Sequence, residues 1–362
     1  VVALFVIGSE DMENGMAIVG AHTDSPRLDL KPVPLSEDSN LAYFKTHYYG
    51  GVKKYQWTTI PLELHGVIYT KAGEKVEICI GDKDDEPVFT ISELLIHLSR
   101  KLMDKSAREV IEGEQLKILV GSIPLKDESD NPVKKNILRI LNEKYGIIEE
   151  DFITAEFEAI PAINARNAGL DNSMIIGHGH DDRVCSYSAL NAILSIENPK
   201  KTLVGLFVDK EEIGSTGATG MGSHFFENKV LELLNINDRA NLISLKRTLA
   251  NSKVLSADVT AAYDPNFKDV SELDNSAQFG CGVALTKYTG SGGKGGSNDA
   301  NAEYLQEVRA AFDKEDVIYQ TGELGAVDAG GGGTIAFILA EYNMDVVAVS
   351  YTHLTLPTNR EV

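Results

Sequence analysis

A chain of 362 residues with 43% apolar residues has material for two hydrophobic cores, so a globular protein of two domains is expected. Nucleic acid and anionic membrane would both repel its formal charge of −20, which excludes them as partners and leaves cations as groups it attracts. No apolar run approaches the roughly 18 to 20 residues of a membrane span, no signal peptide opens the chain, and Cys79, Cys185 and Cys281 form neither a disulfide framework nor a zinc-finger spacing; a reducing, cytoplasmic setting is expected.

In chain order, Val1 to Ile7 and Met16 to Val19 predict two strands joined by a polar turn at Glu10 to Gly15, and the second runs into Gly20-Ala21-His22-Thr23-Asp24-Ser25-Pro26. His22 and Asp24 stand two apart and so share a face in extended chain. An imidazole oriented by a carboxylate is the usual form of a metal-bound histidine, although a His-x-Asp triplet is also common as a purely structural feature. From about Lys31 the style changes. Pro32 and Pro34 are expected to break the chain, and β-rich segments follow at Tyr43 to Tyr49, Tyr55 to Ile60, Leu62 to Tyr69 and Lys75 to Ile80. A helix is expected over Ile91 to Met103 carrying His97, then a strand over Gln115 to Val120, a helix over Pro132 to Tyr145 and a strand over Phe152 to Ile160. This stretch, residues 32–162, reads as an inserted β-rich domain in a domain formed by 1–31 and 163–347.

Alternating α/β character returns after Asn164. Met174 to Gly177 predicts a strand leading into His178-Gly179-His180-Asp181-Asp182-Arg183, with a helix from Val184. Thr202 to Val208 predicts a parallel strand covered on both faces, delivering Glu211 and Glu212 to its carboxyl end, where open α/β sheets bind ligands. Side chains of adjacent residues diverge there, so one carboxylate can hold a metal while the other handles a water proton; the plain alternative is a solvated pair at a helix N-terminus. Lys253 to Thr260 places Asp258 just past another apolar strand. His22, Asp181, Glu211/Glu212 and Asp258 are thus acid or imidazole at four separate strand ends, a donor set that suits zinc, cobalt or manganese better than calcium or an iron-sulfur cluster. Gly290 to Gly296 is not a Walker A loop and reads as a substrate-side loop, while Gly330 to Gly333 could present backbone N–H groups to a substrate or form a packed turn.

The strings Gly20 to Asp29, Asp181-Asp182-Arg183-Val184-Cys185, Asp209 to Ser215 and Ser256 to Val259, in that order, resemble the M18 metalloaminopeptidases, the aspartyl aminopeptidase family within the dizinc exopeptidases. The resemblance spans Val1 to about Val347 and implies an α/β, mixed-sheet dizinc exopeptidase-like catalytic domain with the β-rich insert making dimer contacts in a homo-oligomer, up to a dodecamer. It implies two divalent ions, zinc before cobalt or manganese: His22 and Asp258 on one, Glu212 on the other, Asp181 bridging them, with Glu211 as general base and Asp24 behind the ligands. It also implies a cis peptide after Asp181, a His97 that reaches a neighbouring subunit's site, and a peptide substrate whose acidic first residue would need a cation such as Lys287 or Lys294. Residues 348–362 depart from the family pattern, so His353 takes no ligand role here, and both chain ends read as cut. Two rivals remain at this stage: a family member that assembles and binds one metal at most without catalysis, and a related dizinc deacylase or carboxypeptidase.

Overall fold

The computed structural model describes residues 1–354 and the backbone of residues 358–361. The chain divides into two compact units, one built from Val1–Ser25 with Ala165–Val362 and the other from Pro26–Asn164. The first unit opens with β1 (Val2–Val6) and β2 (Ala17–His22). The second contains β3 (Arg27–Asp38), β4 (Leu41–Tyr49), β5 (Leu62–Tyr69), β6 (Lys75–Ile80), the short α1 (Arg100–Met103), β7 (Lys117–Gly121), α2 (Pro132–Tyr145) and β8 (Glu156–Pro161). The chain then returns to the first unit through β9 (Arg166–Ala168), β10 (Met174–His178), α3 (His180–Ser195), β11 (Leu203–Val208), α4 (Phe225–Asn235), α5 (Leu242–Ala250), β12 (Lys253–Ala261), β13 (Val283–Thr286), β14 (Gly290–Ser291), α6 (Ala302–Lys314), β15 (Tyr319–Thr321), β16 (Gly331–Gly332), α7 (Ala336–Ala340), β17 (Asp345–His353) and β18 (Thr358–Glu361).

In the first unit, among the described residues, a ten-stranded mixed sheet has the order β1-β11-β2-β12-β17-β18-β10-β9, with β13 added beside β17 and β15 beside β13. Strands β11, β2, β12 and β17 run parallel, so their carboxyl ends share one edge. The apolar run of β11 is buried on both faces, as a central parallel strand requires, and packs with Ile18, Val254, Phe226, Leu245 and Leu339. Gly15 permits the turn into β2: its φ is +93°, and a β-carbon there would collide with the Asn251 carbonyl. Strand β17 runs unbroken across position 348, and of the divergent tail, residues 355–357 and 362 lie outside the described residues.

In the second unit a six-stranded sheet, β6-β5-β8-β3-β4-β7, packs its inner face with Trp57, Leu62, Ile68, Ile118 and Phe152. Four local expectations change here, the first being the strand expected over Phe152 to Ile160, which begins only at Glu156 because Phe152 is buried in the 3-10 turn Glu149–Thr154. Strand β3 continues through Pro32 and Pro34 because its pairing with β4 shifts register between Leu30 and Leu35, the irregular stretch in which missing N–H donors are tolerated. Residues Lys54–Trp57 form a 3-10 turn instead of a strand, burying only Trp57. The helix expected over Ile91 to Met103 is replaced by a 3-10 turn at Ile96–Leu98 and by α1; Leu94, Leu95, Ile96, Leu98 and Met103 are all exposed, so no buried stripe sustains a longer helix. Among the described residues no helix is long and apolar enough to cross a membrane.

Candidate metal and catalytic site

Strand β12, the turn after β11 and the start of α3 bring carboxylates together around the imidazole at the end of β2. His22, the last residue of β2 and 2% exposed, directs Nε2 to Asp181 Oδ1 at 3.0 Å, Asp258 Oδ1 at 3.7 Å and Glu211 Oε2 at 3.9 Å. Its other nitrogen, Nδ1, lies 3.0 Å from the Asp24 carbonyl oxygen and 3.5 Å from Asp24 Oδ1. A ring that donates from Nδ1 to that carbonyl presents Nε2 to the carboxylates, the orientation a metal-binding histidine needs.

Asp24 does more than orient the ring. Its Oδ1 accepts the backbone N–H of Glu211 at 3.1 Å, and its Oδ2 accepts that of Glu212 at 3.2 Å. Both glutamates occupy the 3-10 turn Glu211–Ile213, which Lys210 enters and Gly214 leaves in left-handed conformation. A carboxylate at the open N–H groups of this turn satisfies donors the turn itself cannot. Asp181 and Asp182 open α3 with non-helical backbone angles, and the peptide between them is cis, as the resemblance implies.

The electrostatics show what this cluster lacks. Burial and the charge of Asp258 push the Glu211 carboxyl up to about 8, and burial with Asp181 does the same for Glu212. Burial also raises Asp258, and raises Asp182 well above the ordinary carboxylate range. Burial disfavours a charged His22 ring, yet hydrogen bonds to Asp181, Asp24 and Asp258 overcome this and hold its pKa well above the usual value. Acids crowded around one imidazole, with no lysine or arginine prominent among the groups that shift them, are short of positive charge; oxygen and nitrogen donors at this spacing fit a divalent cation.

Two residues left unassigned by the sequence belong to the same neighbourhood. Asp182, fully buried, groups with His22 and Asp258 so that one ligand atom from each lies within 4.8 Å of the others, and its Oδ1 has no hydrogen-bond partner among the described residues. Its signal was the second position of the Asp-Asp pair. His353, the last residue of β17 and in register with Ala261 of β12, is buried, its Nδ1 has no hydrogen-bond partner among the described residues, and burial lowers its pKa while the charge of Asp181 opposes that shift. His97 is on the exposed Ile96–Leu98 turn of the second unit. Lys287 is exposed just after β13, whereas Lys294 is engaged, 3.8 Å from the centre of the Tyr288 ring and 2.9 Å from Asp299 Oδ2.

A cation-deficient cluster of carboxylates and imidazole on the carboxyl edge of a mixed α/β sheet defines the class: a metal-dependent hydrolase. Residues 1–362 match the family described as Aminopeptidase I zinc metalloprotease (M18). A probable M18 family aminopeptidase 1 of Clostridium acetobutylicum is 55% identical over 345 residues, 95% of this chain and 74% of that protein, and the Thermotoga maritima protein of the same description is 49% identical over 339 residues, covering 93% and 74%. The crystal structure of the M18 aminopeptidase from Thermotoga maritima superposes with a TM-score of 0.94 at 45% identity, covering 99% of this chain and 82% of that one. Aminopeptidase I from Clostridium acetobutylicum gives 0.94 at 52% identity, covering 99% and 78%. The chain belongs to the M18 family, and it is a metal-dependent aminopeptidase, a hydrolase.

Proposed function

We infer that this chain removes amino-terminal residues from peptides with two divalent cations, zinc before cobalt or manganese, and with Glu211 as general base. The observation that carries the reading is the convergence on His22 Nε2 of Asp181, Asp258 and Glu211, with Glu211 and Glu212 fixed together by Asp24. In this assignment His22 and Asp258 hold one cation, Glu212 holds the other, and Asp181 serves both. Bound zinc lowers the pKa of a water and polarises a scissile carbonyl. Glu211 would take a proton from the attacking water and deliver it to the departing amine, a role that its place beside His22 Nε2 favours. Asp24 keeps the base and the neighbouring ligand in register by holding their backbone, and sets the His22 ring through Nδ1.

Lys287 offers a cation for an acidic first residue, and the engagement of Lys294 with Asp299 makes it the weaker choice. The chain works as a homo-oligomer built through the second unit, with His97 reaching a neighbouring copy; the exposed apolar residues flanking His97 support a covered surface there. A cytoplasmic setting is supported by the three free cysteines. The test is hydrolysis of leucyl and aspartyl amides by the metal-loaded protein, with and without an acetylated amino terminus. Cleavage of the free amine alone is expected; equal cleavage of the blocked substrate would move the assignment to a deacylase or carboxypeptidase, and metal-loaded protein without turnover would leave a binding and assembly chain.

A further inference from the structure

The backbone of His22 is held differently from the rest of β2. Along a strand the N–H and C=O of one residue point to the same neighbour, and those of the next residue point to the other. The carbonyl of Met16 accepts from Lys253 of β12, whereas Thr23 N–H donates to Val208 of β11. Even-numbered residues of β2 therefore face β12 and odd-numbered residues face β11. The pairing of β2 with β12 ends at Gly20↔Ser256, while that with β11 continues to His22↔Val208. His22 is thus the first even-numbered residue of β2 beyond the end of its pairing with β12, and a buried strand residue cannot leave both polar groups unpaired.

Helix α3 supplies the substitute. His22 N–H donates to Asp182 Oδ2 at 3.3 Å, and the Ser186 hydroxyl donates to the His22 carbonyl at 2.7 Å. Asp182 and Ser186 are four residues apart at the start of α3, so one short stretch grips both ends of the His22 backbone. The grip is reciprocal, because the Ser25 hydroxyl donates to the Asp181 carbonyl at 2.8 Å. The segment bearing His22 and the segment bearing Asp181 are tied together through their backbones, independently of any contact between their functional side chains.

We propose that Asp182 and Ser186 are positioning residues, a two-point clamp that replaces the missing β12 partner and fixes the His22 imidazole opposite Asp181. The proposal rests on the reading of His22 as a metal ligand. Its role is to pre-arrange the donor atoms, so that metal capture does not have to order the end of β2; groups behind a ligand that do this typically carry about 10- to 100-fold in metal affinity.

The experiment compares Ser186→Ala, Ser186→Thr, Asp182→Asn, Asp182→Ala and His22→Ala in the full chain. Zinc affinity is read by competition with a chromophoric chelator, alongside the melting temperature of the metal-free protein. Ser195→Ala, which removes another hydroxyl from α3, one that donates to the Ala192 carbonyl, is the control. Ser186→Ala is expected to weaken zinc binding about 10-fold or more, and to melt below the control without metal because the buried His22 carbonyl loses its donor. Ser186→Thr, which keeps the hydroxyl, is expected to restore affinity. Asp182→Asn keeps an acceptor for the His22 N–H and is expected to bind more tightly than Asp182→Ala. Wild-type affinity in Ser186→Ala, with zinc binding lost in His22→Ala, would overturn the clamp alone. Unchanged zinc binding in His22→Ala would remove the ligand reading and the clamp with it.

Discussion

Removing the Asp24 carboxylate is the perturbation that most directly tests how the site is built. In Asp24→Ala two backbone N–H groups, those of Glu211 and Glu212, lose a shared charged acceptor at 3.1 and 3.2 Å, and the His22 ring loses the neighbour 3.5 Å from Nδ1. Hydrogen bonds to a charged group contribute about 1.5 to 3 kcal/mol each, so the pair is worth about 3 to 6 kcal/mol at most. The donors are only partly buried and water replaces some of this, which leaves an expected loss of about 2 to 4 kcal/mol. At about 2 to 4 °C per kcal/mol for a unit of some 200 residues, melting should fall by about 4 to 16 °C. Asp24→Asn keeps one acceptor oxygen but turns an amide N–H₂ toward the second donor, and should lie between Ala and wild type. The assay is thermal unfolding of the metal-free protein, so that lost metal binding does not enter the comparison, followed by peptidase assay after reloading. A metal-free Asp24→Ala protein that melts within about 1 °C of wild type would refute the argument, because it would mean that water satisfies the turn as well as the carboxylate does.

Other expectations follow from the same geometry. Glu211→Gln should keep its metal content and lose about 100- to 10,000-fold in turnover, checked by metal analysis beside steady-state kinetics; near-normal turnover would remove its role as base. Glu212→Ala should instead lower bound metal per chain, read by the same metal analysis after gel filtration. The metal-free protein should become less stable as pH rises from about 4.5 to about 8, because carboxyls raised to about 8 by burial bind protons in the fold that the unfolded chain has already released. Added zinc should flatten that slope, and a metal-free melting curve rising over this interval would contradict it. Gly15→Ala forces a β-carbon against the Asn251 carbonyl at a φ of +93° and should cost more than 1 kcal/mol, measurable by denaturant unfolding.

The sequence was most legible where local chemistry and tertiary role agree. Alternation marked β5 and β6 to the residue, and Pro132 at the start with Gly146 in left-handed conformation at the end framed α2. The prolines of β3 misled because a register shift, which depends on the partner strand, removes the need for their N–H groups. The exposed apolar run at Leu94 to Met103 misled because composition alone does not reveal whether a neighbour buries it.

For the site, residue types at strand ends pointed to His22, Asp181, Glu211 and Glu212 as candidate donors, because parallel strands with short apolar runs deliver their following residues to one edge; Asp258, expected just past a strand, instead lies inside β12 and in register with Ser350, because β12 continues alongside β17 to Ala261. Only the folded chain decides how those donors are held. The point at which β12 parts from β2 is set by long-range pairing, and it is this departure that leaves the His22 backbone to Asp182 and Ser186. The chemistry was therefore written in the order of the residues. Its alignment was decided by a strand partner more than 230 positions away in sequence and by the helix that stands in where that pairing ends.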